Sequence, residues 1–193
     1  MSSTMSSGPT RQIGRVQLPA NGDWVIDPGH ADVAFTGRHM MLTKVRGRFT
    51  DVNGTVRVAE EPSDSTVDVT IGVASVSSGD ETRDAHLRSA EMFDVDTYPT
   101  ATYRSTSVVW RGMVGVVQGV LTIHGVSRPV ALDVVYEGYA RDPWGADRAV
   151  FSARTKIDRE DFGLTWNAVL ETGGLLVSKE ITIEIAIETI LAH

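Results

Sequence analysis

The run Ile181-Thr182-Ile183-Glu184-Ile185-Ala186-Ile187-Glu188 alternates apolar and polar side chains almost without interruption. A period of two sends successive side chains to opposite faces of a sheet, whereas a helix needs a spacing near 3.6. The segment reads as a strand with an isoleucine face and an outer face of Thr182, Glu184 and Glu188. The same pattern recurs at Val67, Val69, Ile71 and Val73, with Asp68, Thr70 and Gly72 between them. It returns more loosely at Leu132, Val134 and Tyr136, opposed by Asp133 and Glu137.

Further strands are expected over 32–40, 44–50, 55–59, 100–110, 114–123 and 148–158. Asn53-Gly54 stands between the second and third of these, where residues tolerant of positive φ can close a hairpin. Gly125 and Pro129 bracket a turn after 114–123. Eight or nine strands on short links, without a βαβ rhythm, indicate an antiparallel all-β fold. Alternation stops around Gly79–Arg88, where acids precede bases as the helix dipole prefers. One or two helical turns are expected within 80–94, and another short helix near 159–163. A sheet of about eight strands must hide one face, and either a sandwich or a closed barrel would do so.

Composition narrows the function. The chain has 193 residues and no cysteine, which excludes thiolate metal sites and a cysteine nucleophile. It carries 25 acids against 18 bases, a formal charge of −7. That balance speaks against nucleic acid as a partner and against electrostatic docking on an anionic membrane. Residues 1–22 are rich in Ser, Gly and Pro and are expected to form a flexible arm ahead of a single domain, 23–193. They hold no apolar h-region, and no later run approaches the roughly 18 apolar residues of a transmembrane helix. A cytoplasmic location is expected on that basis.

Several blocks resemble the YceI-like family. They are Trp24-Val25-Ile26-Asp27-Pro28-Gly29-His30-Ala31-Asp32-Val33-Ala34-Phe35 with Arg38-His39-Met40, then Gly47-Arg48-Phe49, and Arg83-Asp84-Ala85-His86-Leu87-Arg88 with Phe93-Asp94-Val95 and Tyr98-Pro99. Gly119-Val120-Leu121-Thr122-Ile123-His124-Gly125-Val126 and Asp158-Arg159-Glu160-Asp161-Phe162-Gly163-Leu164 continue the series in the family's order. The resemblance implies an extended eight-stranded antiparallel lipocalin-like barrel with a short helical segment near 80–94. It further implies an apolar tunnel for an amphiphile with a polyisoprenoid tail, such as an isoprenoid quinone or a polyprenyl lipid. Two positions depart from the family pattern: Ala31 replaces a common serine, and Met92 a common aromatic. Both bear on the shape of the cavity.

By motif position, Phe35, Met40, Leu42, Leu87, Met92 and Phe93 are the expected tunnel wall, with ordinary barrel core as the competing reading. An apolar tail offers no hydrogen bonds, so affinity rests on buried area, about 0.8 kcal/mol per methylene. His39, Arg83 and His86 are candidates to meet a head group, although Arg83 beside Asp84 would equally fasten the helix to the barrel. Arg159 and Asp161 read as a turn lock. His30 and His39 lack metal-ligand spacing, and no metal or obligatory cofactor is expected. No Gly-x-Ser-x-Gly elbow or phosphate loop is present. A non-catalytic lipid carrier is the leading reading. A barrel enzyme using His39 or His86 as proton carrier stays open, as does a stress-linked interaction protein dimerising through 178–190.

Overall fold

The computed structural model describes residues 9–169 and 176–192. Among these residues twelve strands run in chain order: β1 (Thr10–Ile13), β2 (Val16–Pro19), β3 (Gly22–His39), β4 (Thr43–Phe49), β5 (Val52–Val58), β6 (Thr66–Gly72), β7 (Val76–Ser77), β8 (Thr100–Arg111), β9 (Val114–Ile123), β10 (Val126–Arg141), β11 (Asp147–Asp158) and β12 (Glu180–Leu191). Among the described residues there is one α-helix, α1 (Glu81–Arg88), between β7 and β8. The large sheet has the order β12-β11-β10-β9-β8-β6-β5-β3, and β12 pairs back onto β3. That last pairing closes an eight-stranded antiparallel barrel. The isoleucine-rich stretch is the closing strand, with Ile183 opposite Phe35 and Ile185 opposite Val33.

Both edges of β12 are therefore used within the chain, by β11 on one side and β3 on the other. The expected dimerisation through 178–190 has no free edge to work with.

The Asn53-Gly54 hairpin is corrected. Both residues lie inside β5, and β4 and β5 pair in turn with the two halves of β3. They behave as one long strand kinked at residues 50–51. The kink is held by the Ser75 hydroxyl oxygen, which accepts from the backbone N–H of Thr50 (3.1 Å) and Asp51 (3.0 Å). Gly54 is required by close approach and not by a turn. A Cβ there would sit 2.3 Å from the carbonyl oxygen of Asp68 on β6. The β9–β10 turn is His124-Gly125, both with positive φ, whereas Pro129 falls inside β10. It is tolerated because β11 pairs with β10 only from Asp133 onward, which leaves Pro129 on an open edge.

Residues 9–22 belong to the stretch expected as a flexible arm and contain two short strands; residues 1–8 lie outside the described residues. β1 and β2 form a hairpin, Thr10 opposite Pro19 and Ile13 opposite Val16. Leu18 is buried in the same cluster as Trp24, Ile26, Tyr136 and Phe151. Arg11 donates to the carbonyls of Ala59 and Glu60, both at 2.5 Å, and so ties the hairpin to the β5–β6 connection. Four-residue strands carry too little alternation to be seen in sequence, and a lone hairpin is marginal in water. This one is held by what it packs on.

The barrel thus has two distinct ends. The N-terminal hairpin occupies one, beside the β8–β9 and β10–β11 turns. The other carries the β3–β4 turn, α1, the β9–β10 turn and a 3₁₀ turn at Arg159–Phe162. A twelve-residue strand rising about 3.3 Å per residue, tilted near 40°, makes the barrel roughly 30 Å tall.

Candidate functional site: an apolar tunnel through the barrel

Inward-facing side chains of the eight strands do not fill the barrel. They enclose a cavity of about 830 Å³, toward the upper end of the usual range for small-molecule sites. Its wall is carbon: Ile71, Val117, Leu121, Val134, Ile183 and Ile185 are representative. Leu18 and Pro19 of the N-terminal hairpin border it at one end, and His39, His86 and Trp166 at the other. Two aromatic side chains of the barrel occupy the space over a glycine on a neighbouring strand. A Cβ on Gly47 would stand 2.4 Å from the Phe35 ring, and one on Gly119 2.4 Å from Tyr103. Each ring takes volume that a side chain opposite would otherwise occupy.

Tyr103 and Trp110 of the tunnel wall have their polar groups already engaged. The Tyr103 hydroxyl donates to the backbone of the wall, 2.9 Å from the Val117 carbonyl and 3.1 Å from that of Val130. Burial pushes its pKa up to about 12, so it remains neutral. Trp110, also on the wall, gives its indole N–H to the Gly112 carbonyl at 2.9 Å.

At the far end α1 forms a cover. Asp80 is its N-cap, its carboxylate accepting from Arg83 N at 2.8 Å. Asp84 accepts from both the backbone N–H (2.7 Å) and hydroxyl (2.5 Å) of Ser78, and those bonds, led by the hydroxyl, hold its pKa below the usual carboxylate value. Arg83 donates Nε to the Ser78 hydroxyl (2.7 Å) and Nη2 to the Ser78 carbonyl (3.0 Å). Arg88 reaches the carbonyls of Ala74 (2.8 Å) and Val76 (2.6 Å). Beneath this scaffold Leu87 and Met92 are buried with Val76 and pack on Phe35, Phe49, Phe93 and Trp166. Phe49 stands 5.5 Å from Phe35 and edge-on to Phe93 at 5.7 Å.

The expected site residues divide clearly. Phe35, His39, Arg83, His86, Leu87, Met92 and Phe93 border the cavity. Met40 and Leu42 do not: they belong to the β3–β4 turn and are 42% and 76% exposed. The turn takes them past the end of the barrel, where Met40 and Met41 both have positive φ. Arg83 is bonded to Ser78 and not to Asp84, so the helix is fastened through a shared serine. His86 lies edge-on to Trp166 at 4.4 Å with Nε2 3.2 Å from Glu91. Arg159 is buried and donates to the carbonyls of Ser178 (3.0 Å) and Leu164, the turn-locking role expected of it. His30 faces outward, 2.8 Å from Asp27, away from the tunnel. Among the described residues no group of three or more His, Asp or Glu is placed to hold a metal.

Sequence reasoning missed most of the wall, namely the aliphatic residues of β6 and β8–β12. Their inward period-two positions were legible, but the pattern looks the same whether a barrel is solid or hollow.

A YceI-like domain model matches residues 24–189. The chain belongs to the YceI-like family. Protein YceI of Salmonella newport is 42% identical over 137 residues, covering 70% of this chain and 72% of that protein. Among solved structures, Burkholderia cenocepacia BcnA superposes with a TM-score of 0.74 at 23% identity, covering 84% of this chain and 98% of BcnA. A polyisoprenoid binding domain from Saccharophagus degradans, implicated in plant cell wall breakdown, gives 0.64 at 17% identity over 88% of this chain and 98% of that domain. These two structures share the YceI-like barrel. The YceI-like match begins at Trp24, so the N-terminal hairpin that borders the tunnel lies outside it.

Proposed function

We propose that the protein binds and carries an apolar amphiphile, its isoprenoid tail threaded into the barrel, without altering it chemically. The observation that carries this reading is the carbon-walled cavity of about 830 Å³, bordered by elements from both ends of the barrel. Such a wall supplies buried area and little else, which suits a hydrocarbon tail. The polyisoprenoid-binding description of the Saccharophagus degradans domain, a protein of the same fold, points to the same ligand class. The head group, a quinone ring or a polyprenyl phosphate, would rest near α1, where Arg83, His86 and His39 border the cavity.

Titration of the full chain with a long-tailed ubiquinone, followed by quenching of tryptophan fluorescence, tests the reading. Trp110 and Trp166 both border the cavity and are the expected reporters. Saturable one-to-one quenching, with intact quinone recovered by organic extraction, is the expected result. Quenching that never saturates, together with native mass spectra showing no lipid adduct, would overturn it.

A further inference from the structure

The β3–β4 hairpin differs from the rest of the chain in charge and in what it exposes. Residues 33–50 contain four bases, Arg38, Lys44, Arg46 and Arg48, and no acid, in a chain of net charge −7. Register sets Arg38 opposite Lys44, and Lys44, Arg46 and Arg48 follow one another on the exposed face of β4 while Val45 faces the tunnel. Arg46 is paired with Asp32 at 3.1 Å. For Arg38, Lys44 and Arg48, no carboxylate lies within 4 Å among the described residues.

The tip beyond these bases is apolar. Met40, Met41 and Leu42 are 42%, 57% and 76% exposed, and Val169 on the adjoining segment is 80% exposed. The two segments are tied together through Leu176, whose carbonyl accepts from Met40 N and whose N–H donates to Ala168, both within 2.9 Å. Met40 and Met41 hold φ of 51° and 60°, a left-handed conformation that costs energy for residues other than glycine or asparagine. Large apolar side chains are thus held out in solvent, by strained backbone, where polar or glycine residues would be the easier choice.

We propose that this hairpin docks the barrel on an anionic lipid surface, with Met40, Met41 and Leu42 entering the interface and Arg38, Lys44 and Arg48 meeting the head groups. An apolar tip flanked by bases is the usual composition of an interfacial anchor. The net charge of the whole chain conceals it because residues 33–50 hold no acid, while Glu81 of α1 and Glu160 and Asp161 of the 3₁₀ turn offset these bases at the same end of the barrel. Docking in this way would bring the α1 end of the tunnel to the membrane, since Arg38 and His39 of the same hairpin border the cavity. A carrier of membrane-dissolved amphiphiles would then load without its cargo crossing water.

The test is flotation of the full chain with phosphatidylcholine vesicles, with and without phosphatidylglycerol, at low and high salt. Binding only to the anionic vesicles, weakened by salt, is expected. Each base near an anionic surface is worth about 1 kcal/mol, so K44Q/R48Q should weaken partitioning roughly thirtyfold. M40N/M41N/L42S should abolish it while keeping thermal stability, because asparagine tolerates left-handed φ. Neither set of residues borders the tunnel, so ubiquinone quenching should stay unchanged in both variants. Equal partitioning to zwitterionic vesicles, or wild-type partitioning by either variant, would overturn the proposal. So would a change of sedimentation coefficient in M40N/M41N/L42S without vesicles, which would make the tip a contact between copies of the chain.

Discussion

Arg148 on β11 gathers three carboxylates from separate elements: Asp27 of β3 at 2.7 Å, Asp142 of the β10–β11 turn at 2.8 Å and Glu188 of β12 at 3.1 Å. Asp27 turns toward it because β3 bulges there. Ile187 pairs with Ala31 while Thr189 pairs with Ile26, so residues 27–30 face the single residue Glu188. Pro28 cannot donate to a ladder, and Gly29 closes the bulge by donating its N–H to Asp27 at 3.0 Å. The Arg148 bond first, and then His30, hold the Asp27 pKa down to about 2 from an ordinary 3.8. A depressed carboxylate pKa stabilises the fold above the unfolded value and ceases to do so as pH falls through the folded one. Urea midpoints should therefore be flat above about pH 5 and drop as pH falls toward 2. Asp27→Asn should start lower at neutral pH, by about 1–3 kcal/mol, and show a shallower decline. An unchanged slope in the variant would remove Asp27 from this role. Asp27-Pro28-Gly29-His30 was visible in sequence as part of a family block, but its purpose was not: Arg148 lies 121 residues away.

At the scale of the element, the N-terminal hairpin shows where sequence reading runs out. β12 announces itself through four isoleucines at alternate positions, and α1 through a broken alternation in which acids precede bases. The hairpin has only Val16, Leu18 and the exposed Ile13 as large apolar residues, and its Ser/Gly/Pro surroundings resemble a tail. Its order comes from the barrel end, where Leu18 packs into the cluster around Trp24 and Arg11 bonds to Ala59 and Glu60. The β3–β4 turn fails in the opposite sense: a family block suggested tunnel contact for Met40 and Leu42, and local backbone geometry carried them outside. If the hairpin seals its end of the tunnel, weakening it should matter twice. Leu18→Ala should cost about 2–4 kcal/mol, as for other buried leucines. It should also accelerate release of bound ubiquinone in stopped-flow quenching, with little change in the bound spectrum. Loss of stability with an unaltered release rate would show that the hairpin is structural only and that the ligand leaves past α1.

For the molecule as a whole, the question is how a closed barrel of this strand number stays hollow. Eight strands give an interior that side chains can just fill or that can hold one small ligand. Here the balance is tipped by short inward residues, chiefly valine, and by Gly47 and Gly119, whose missing side chains leave room for the rings of Phe35 and Tyr103 against the wall. Of the three groups of buried residues among the described residues, one lies toward the N-terminal hairpin around Trp24 and Phe151 and a second around Leu121 and Phe162, apart from the one under α1. Val69, Trp110 and Val134 pack against both groups and mark the waist between them. Tail length should be set by passage through this waist. Val69→Trp would insert a large ring there while leaving the α1 end untouched. Such overpacking should cost about 1–3 kcal/mol, tolerable for a domain with ordinary stability. Binding of a long-tailed ubiquinone should then weaken severalfold or more, whereas a short-tailed analogue that ends before the waist should keep its affinity. Parallel quenching titrations with the two quinones separate the outcomes. Equal losses for both tails would mean that the ring had deformed the barrel generally, and no loss for either would place the ligand outside the tunnel.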